Sequence, residues 1–186
     1  SVSAYMGALG AALGTMVANL SAQKKGWDDR WEEFSEWAEK GKELQNRLLA
    51  LVDADTDAYN AVIAAKRLPK STPEEIEMRT KAIESATIYA MKVPLEVMET
   101  AWKGFEIVEA MIEKGNPNSA SDAAVGALAL NAAVNGAYLN VMINSGGVTG
   151  TEVEEILRRA GSLAEQSGSR TENVLKSFRK KILKTD

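Results

Sequence analysis

The chain has 186 residues, 45% of them hydrophobic, which suits one domain with a substantial core rather than two. It contains no histidine and no cysteine, so thiol nucleophiles, disulfide frameworks, zinc sites built on thiolate or imidazole, and serine–histidine triads are excluded. Proton transfer must fall to Asp, Glu, Lys or Tyr, and a net charge of −4 offers duplex nucleic acid no large basic field.

Residues 1–23 carry no charge, a length that admits a membrane span. Their Gly, Ala, Ser and Asn content, without a strongly apolar run or a basic leader, favours a helix buried among other helices and no membrane. Gly7, Ala11, Gly14 and Ala18 recur at three-to-four spacing, the pattern of close backbone approach to a neighbour. A long helical pattern follows from about Asp28 to Arg67. Its apolar line starts at Trp27, Trp31, Phe34 and Trp37 and runs on through Leu44, Leu48, Val52, Tyr59 and Val62. The three tryptophans read as core or subunit interface in preference to a ligand platform.

Leu68-Pro69 breaks the pattern. Thr72 then caps a helix with Pro73 at its first position and Glu75 completing a capping box, and this helix is predicted to run to Lys114 with a kink at Pro94. Gly115-Asn116-Pro117-Asn118 is a turn. Ser119 or Ser121 opens a small-residue apolar helix through Ala123 to Ile143, ending at Gly146-Gly147. Thr151 with Glu154 repeats the capping-box pattern and starts a charged amphipathic helix toward Leu183. Strand alternation is nearly absent. The sum is an all-α chain: one domain over residues 1–186, an antiparallel bundle of five or six long helices kinked near Pro94.

Asp53-Ala54-Asp55-Thr56-Asp57 resembles the start of a calcium loop, but Ala58 and Ala64 stand where that loop needs Gly and Glu, so calcium is rejected and no metal site is expected. The three aspartates differ. Leu48, Val52, Tyr59 and Val62 lie seven and three residues before and four and seven after Asp55, so Asp55 interrupts the apolar stripe itself, while Asp53 and Asp57 point to its flanks. A carboxylate drawn out of water gains proton affinity unless a partner compensates. Two readings follow: a buried Asp bonded to backbone, hydroxyl or Arg, or a group that takes and gives a proton. Asn116, Asn118 and Asp122 near the start of the small-residue helix, with Asn131, Asn135, Asn140 and Asn144 within it, must be satisfied by other helices or by a ligand rich in donors and acceptors. Lys66, Arg67 and Lys70 form a basic turn able to hold a carboxylate tail.

Several ungapped blocks carry a resemblance: residues 1–14, Leu51-Val-Asp-Ala-Asp-Thr-Asp-Ala-Tyr59, Arg67-Leu-Pro-Lys-Ser-Thr-Pro-Glu-Glu75, Val93-Pro-Leu95, Gly115-Asn116, Ser121-Asp122 and 136–144. In one order and register, over nearly the whole chain, they resemble the cyclodeaminase domain of formiminotransferase-cyclodeaminase and its free-standing bacterial relatives, some of them methenyltetrahydrofolate cyclohydrolases. The resemblance implies a cytoplasmic, homodimeric helical bundle acting in folate one-carbon metabolism and histidine catabolism. It implies no cofactor, no formiminotransferase domain, and a tetrahydrofolate derivative, polyglutamylated or not, as substrate. The family's catalytic aspartate falls on Asp55. Its run of glycines lies just before the serine that matches Ser1, which places Ser1 among the candidate substrate contacts with Tyr59, Asn116, Asp122, Asn140 and Asn144. Arg67 and Lys70 are the candidates for the glutamate tail. The rival from another class is a non-catalytic module whose tryptophan face and small-residue helix only build a dimer.

Overall fold

Five α-helices carry the chain in a computed structural model that describes residues 1–183: α1 (Val2–Ala22), α2 (Trp31–Lys66), α3 (Pro73–Lys114), α4 (Ala120–Asn144) and α5 (Thr151–Leu183). Single 3-10 turns at Asp28–Arg30 and Pro117–Ser119 lie in two of the connections, and no strand occurs among the described residues. Short connections force sequential helices to lie antiparallel. Residue pairs across the seams show it: Gly41 of α2 faces Thr15 of α1, and Gly10 and Gly7 of α1 face Gly126 and Ala133 of α4. Helix α3, 42 residues and about 63 Å long, touches all four of the others. Its Met98, Phe105 and Met111 share a solvent-free core with Phe34, Leu48 and Leu130.

The small-residue stripe is a packing seam. A Cβ added at Gly10 would lie 2.9 Å from the Gly126 carbonyl oxygen and 2.8 Å from Leu130 Cγ, so α1 and α4 are in near backbone contact there. Helix α4 is long and apolar enough to cross a membrane by length and composition, a property the sequence suggested for α1. One face of it packs against α1, α3 and α5 through Ala123, Ala127, Leu130, Val134 and Val141, while Val125, Leu128, Leu139, Met142 and Ile143 are exposed.

The Thr72 cap forms as its residues specify: the Thr72 hydroxyl accepts the Glu75 N–H at 3.2 Å, and the Glu75 carboxylate accepts the Thr72 N–H at 3.2 Å. The second expected box does not. Thr151 is itself the first helical residue and follows Gly150, whose φ of +121° only glycine adopts readily, so its hydroxyl has no capping position to occupy. Of the tryptophans, Trp27 stacks on buried Phe34 with ring centroids 5.6 Å apart and Trp37 packs on the core, whereas Trp31 is 53% exposed.

Helix α3 continues through Pro94. A proline has no N–H to give the carbonyl four residues earlier, which here is that of Ala90, a buried residue. Asn144 at the end of α4 supplies the missing donor, its Nδ2 lying 2.7 Å from the Ala90 oxygen.

Candidate functional site

Antiparallel register brings the start of α1 beside the middle of α2, where the Ser1 backbone nitrogen donates to the Val52 carbonyl at 3.0 Å. The described part of α1 covers α2 no further than Asp55. From there the last three turns of α2 and the first turns of α3 form a hairpin, pinned at its tip by Arg79, whose Nε and Nη2 both donate to the Lys66 carbonyl at 3.2 and 3.1 Å. The end of α4 leans into this hairpin through the Asn144–Ala90 bond, and the space left is a cleft of about 380 Å³. Asp55, Tyr59, Val62 and Lys66 line it from α2, Ala90 from α3, and Asn140 with Asn144 from α4. A second hollow of about 540 Å³ shares Val62, Lys66, Ala90 and Asn144 as a common wall. It extends to Thr80, Ile83, Glu84 and Thr87 of α3 and to the Gly146–Thr149 loop.

Asp55 stands at the mouth of the cleft with its side chain 36% exposed, half-buried rather than withdrawn from water. Asp53 and Asp57 lie on the exposed flanks. The Ser1 nitrogen is 3.8 Å from Asp55 Oδ2, and no Arg or Lys pairs with that carboxylate among the described residues. A carboxylate beside a cavity, free of a guanidinium clamp, keeps its oxygens available to a ligand. The asparagines divide by role. Asn144 commits its amide nitrogen to Ala90 and leaves Oδ1 for the cleft, while Asn140, one turn earlier, lines the cleft and makes no side-chain hydrogen bond among the described residues. Asn131 and Asn135 are structural: together they bond to the Ser167 hydroxyl of α5.

Other sequence candidates lie elsewhere. Asn116 is at the opposite end of the bundle, its N–H donating to Ser21 Oγ at 2.8 Å and its Oδ1 accepting the Asn118 N–H. Asp122, in the first turn of α4, is about 27 Å from Asn140 along the helix axis, so within one chain neither reaches Asp55. Arg67 and Lys70 are exposed on the α2–α3 turn outside the cleft wall. Lys66, which the basic-turn reading grouped with them, is the residue that lines both hollows, a position its helical spacing carried: eleven residues, three turns, separate it from Asp55. Among the described residues no cluster of three or more acidic side chains is placed to hold a metal ion.

The sequence model for formiminotransferase-cyclodeaminase matches residues 1–161. A methenyltetrahydrofolate cyclohydrolase from Methylorubrum extorquens is 33% identical over 180 residues, covering 96% of this chain and 86% of its own length. The formimidoyltransferase-cyclodeaminase of Rattus norvegicus is 35% identical over 179 residues, and the chain spans 33% of that longer protein. A crystal structure of formiminotetrahydrofolate cyclodeaminase from Thermotoga maritima superposes with a TM-score of 0.76 at 26% identity, covering 97% of this chain and 84% of that one. By sequence and by fold, therefore, the chain belongs to the formiminotransferase-cyclodeaminase family.

Proposed function

We propose that the cleft binds a tetrahydrofolate carrying one carbon at N5, and that the chain is a formimidoyltetrahydrofolate cyclodeaminase with Asp55 as its general acid and base. The observation that carries this reading is the unclamped Asp55 carboxylate at the mouth of a cavity of ligand size, in a chain of this family. In the cationic formimino substrate, N10 attacks the formimino carbon and closes the five-membered ring. Asp55 takes the N10 proton and passes it to the amino nitrogen, the carbon–nitrogen bond breaks, and ammonia departs to leave the 5,10-methenyl cation. Atoms and charge balance with one carboxylate alternating between its two forms. Asn140 and the free Oδ1 of Asn144 supply the amide donors and acceptor suited to a pterin edge.

A second reading is favoured by the cyclohydrolase relative of similar length. There the same carboxylate takes a proton from water as it adds to the methenyl carbon and returns it to N5 as that bond opens, while the carbinol hydroxyl releases its own proton to solvent, giving the neutral 10-formyl product and one proton. Both reactions pass through a tetrahedral carbon between N5 and N10, so one cleft serves either.

The same reading makes the protein a cytoplasmic homodimer acting in histidine catabolism. A second copy is supported by the large apolar side chains left exposed on two helices that touch, Val2, Tyr5 and Leu9 of α1 and Leu139, Met142 and Ile143 of α4. Polyglutamate chains leaving the cleft over the α2–α3 turn meet Arg67 and Lys70.

The test follows methenyl absorbance and ammonia release separately with the formimino and methenyl substrates. The wild type is expected to release ammonia from the former, and Asp55→Asn to lower turnover by ~10²- to 10⁴-fold while keeping its helical circular dichroism. Turnover retained in the variant sinks the role of Asp55. Absorbance unchanged with both substrates favours the non-catalytic module instead.

A further inference from the structure

The two hollows share a wall of four residues, of which Lys66 alone is charged. Lys66 is the only cation lining either of them, and its ammonium has no carboxylate within 4 Å among the described residues. Lys66 is exposed, but its backbone is held, because the paired bonds from Arg79 fix the last carbonyl of α2 against α3. Three helical turns place it about 16 Å along the axis from Asp55, on nearly the same face. A lysine stem leans back toward the helix start, which shortens the gap between ammonium and carboxylate. What remains matches a p-aminobenzoyl group followed by its first carboxylate. The apolar wall between them, Ala58, Val62, Ile63 and Ala90, suits an aromatic ring. The lining of the second hollow contains one carboxylate, Glu84.

We propose that Lys66, rather than the neighbouring Arg67 or Lys70, anchors the first glutamyl carboxylate of the substrate, and that Glu84 sets a ceiling on how tightly that carboxylate is held. The inference rests on the folate reading above and deepens it. A carboxylate reaching the shared wall gains the charge-assisted contact to Lys66 and meets the repulsive field of Glu84. The two residues therefore act on a charged tail with opposite sign, and neither acts on an uncharged one.

The experiment compares two probes by calorimetry on the full chain: 5-formyltetrahydrofolate monoglutamate, and the tetrahydropteroyl amide in which the glutamate is replaced by an uncharged carboxamide. Lys66→Ala is expected to weaken the monoglutamate about tenfold and leave the amide unchanged, with Lys66→Arg restoring most of the loss. Glu84→Gln is expected to tighten the monoglutamate by a few-fold and again spare the amide. Equal effects of Lys66→Ala on both probes, or a Glu84→Gln variant that weakens the monoglutamate, overturns the proposal while the folate reading stands on wild-type binding and turnover. If the wild type binds neither probe and turns over no folate, both fall together. Unchanged thermal melting of the three variants ties any difference to the cleft.

Discussion

Asn144 illustrates how one side chain can be held by structure and offered to a ligand at once. Its nitrogen replaces the N–H that Pro94 withholds from the Ala90 carbonyl, and its oxygen is left in the cleft. Asn144→Ala is therefore expected to cost ~0.5 to 1.5 kcal/mol, the net worth of a part-buried hydrogen bond, read by urea unfolding. In a Pro94→Ala background the backbone itself can supply the donor, so the same change should cost markedly less; an undiminished cost in the double variant would show that the Asn144 bond does not serve the proline. At this scale the sequence was partly legible. Spacing alone singled out Asp55 among three aspartates, and the structure puts it at the cleft mouth with Asp53 and Asp57 on the exposed flanks. It also paired Asn140 with Asn144, and the structure puts both on one wall. The tie between Asn144 and Pro94 was not legible, because the two sit fifty residues apart and the need for a donor appears only when α3 and α4 are packed.

The helices themselves were plain in the residues. Thr72, Pro73 and Glu75 fix one start by local bonds alone, and no tertiary contact is needed to see them. Boundaries that depend on neighbours were less so: Thr151 looks like a cap, yet the positive φ of Gly150 brings the chain into α5 one residue too soon. The placing of Asn116 and Asp122 is a matter of helix length, since a straight α4 carries its two polar clusters to opposite ends of the bundle. The glycine seam gives this scale its test. Gly10→Ala drives a methyl group into the Gly126 carbonyl and Leu130, backbone and packed core alike, and is expected to lower stability by about 1 to 3 kcal/mol. A melting temperature equal to that of the wild type would mean that α1 and α4 are free to separate.

For the molecule as a whole, the outstanding feature is what the bundle leaves uncovered. Tyr5 and Leu9 on α1 and Leu139 and Met142 on α4 are all about half exposed or more, on helices whose opposite faces are dry. Leu139→Glu, on this face but outside the wall of the cleft, is expected to convert a dimer to a monomer in sedimentation equilibrium without loss of helix content. A wild type that sediments as a monomer at micromolar concentration removes the homodimer. Periodicity could not announce this face, because a helix that is apolar all round reads as buried whether its second partner is its own chain or another copy.

The position of the Ser1 nitrogen has a practical side. Any atoms joined to it must set out from a point 3.8 Å from the Asp55 carboxylate, across the doorway a ligand uses. The end of α5 lies by contrast beside the Ile112 carbonyl, at the far pole of the molecule, where Lys181 donates to it. Whatever is joined to Ser1 therefore stands at that doorway, while a label carried at the end of α5 stands far from it.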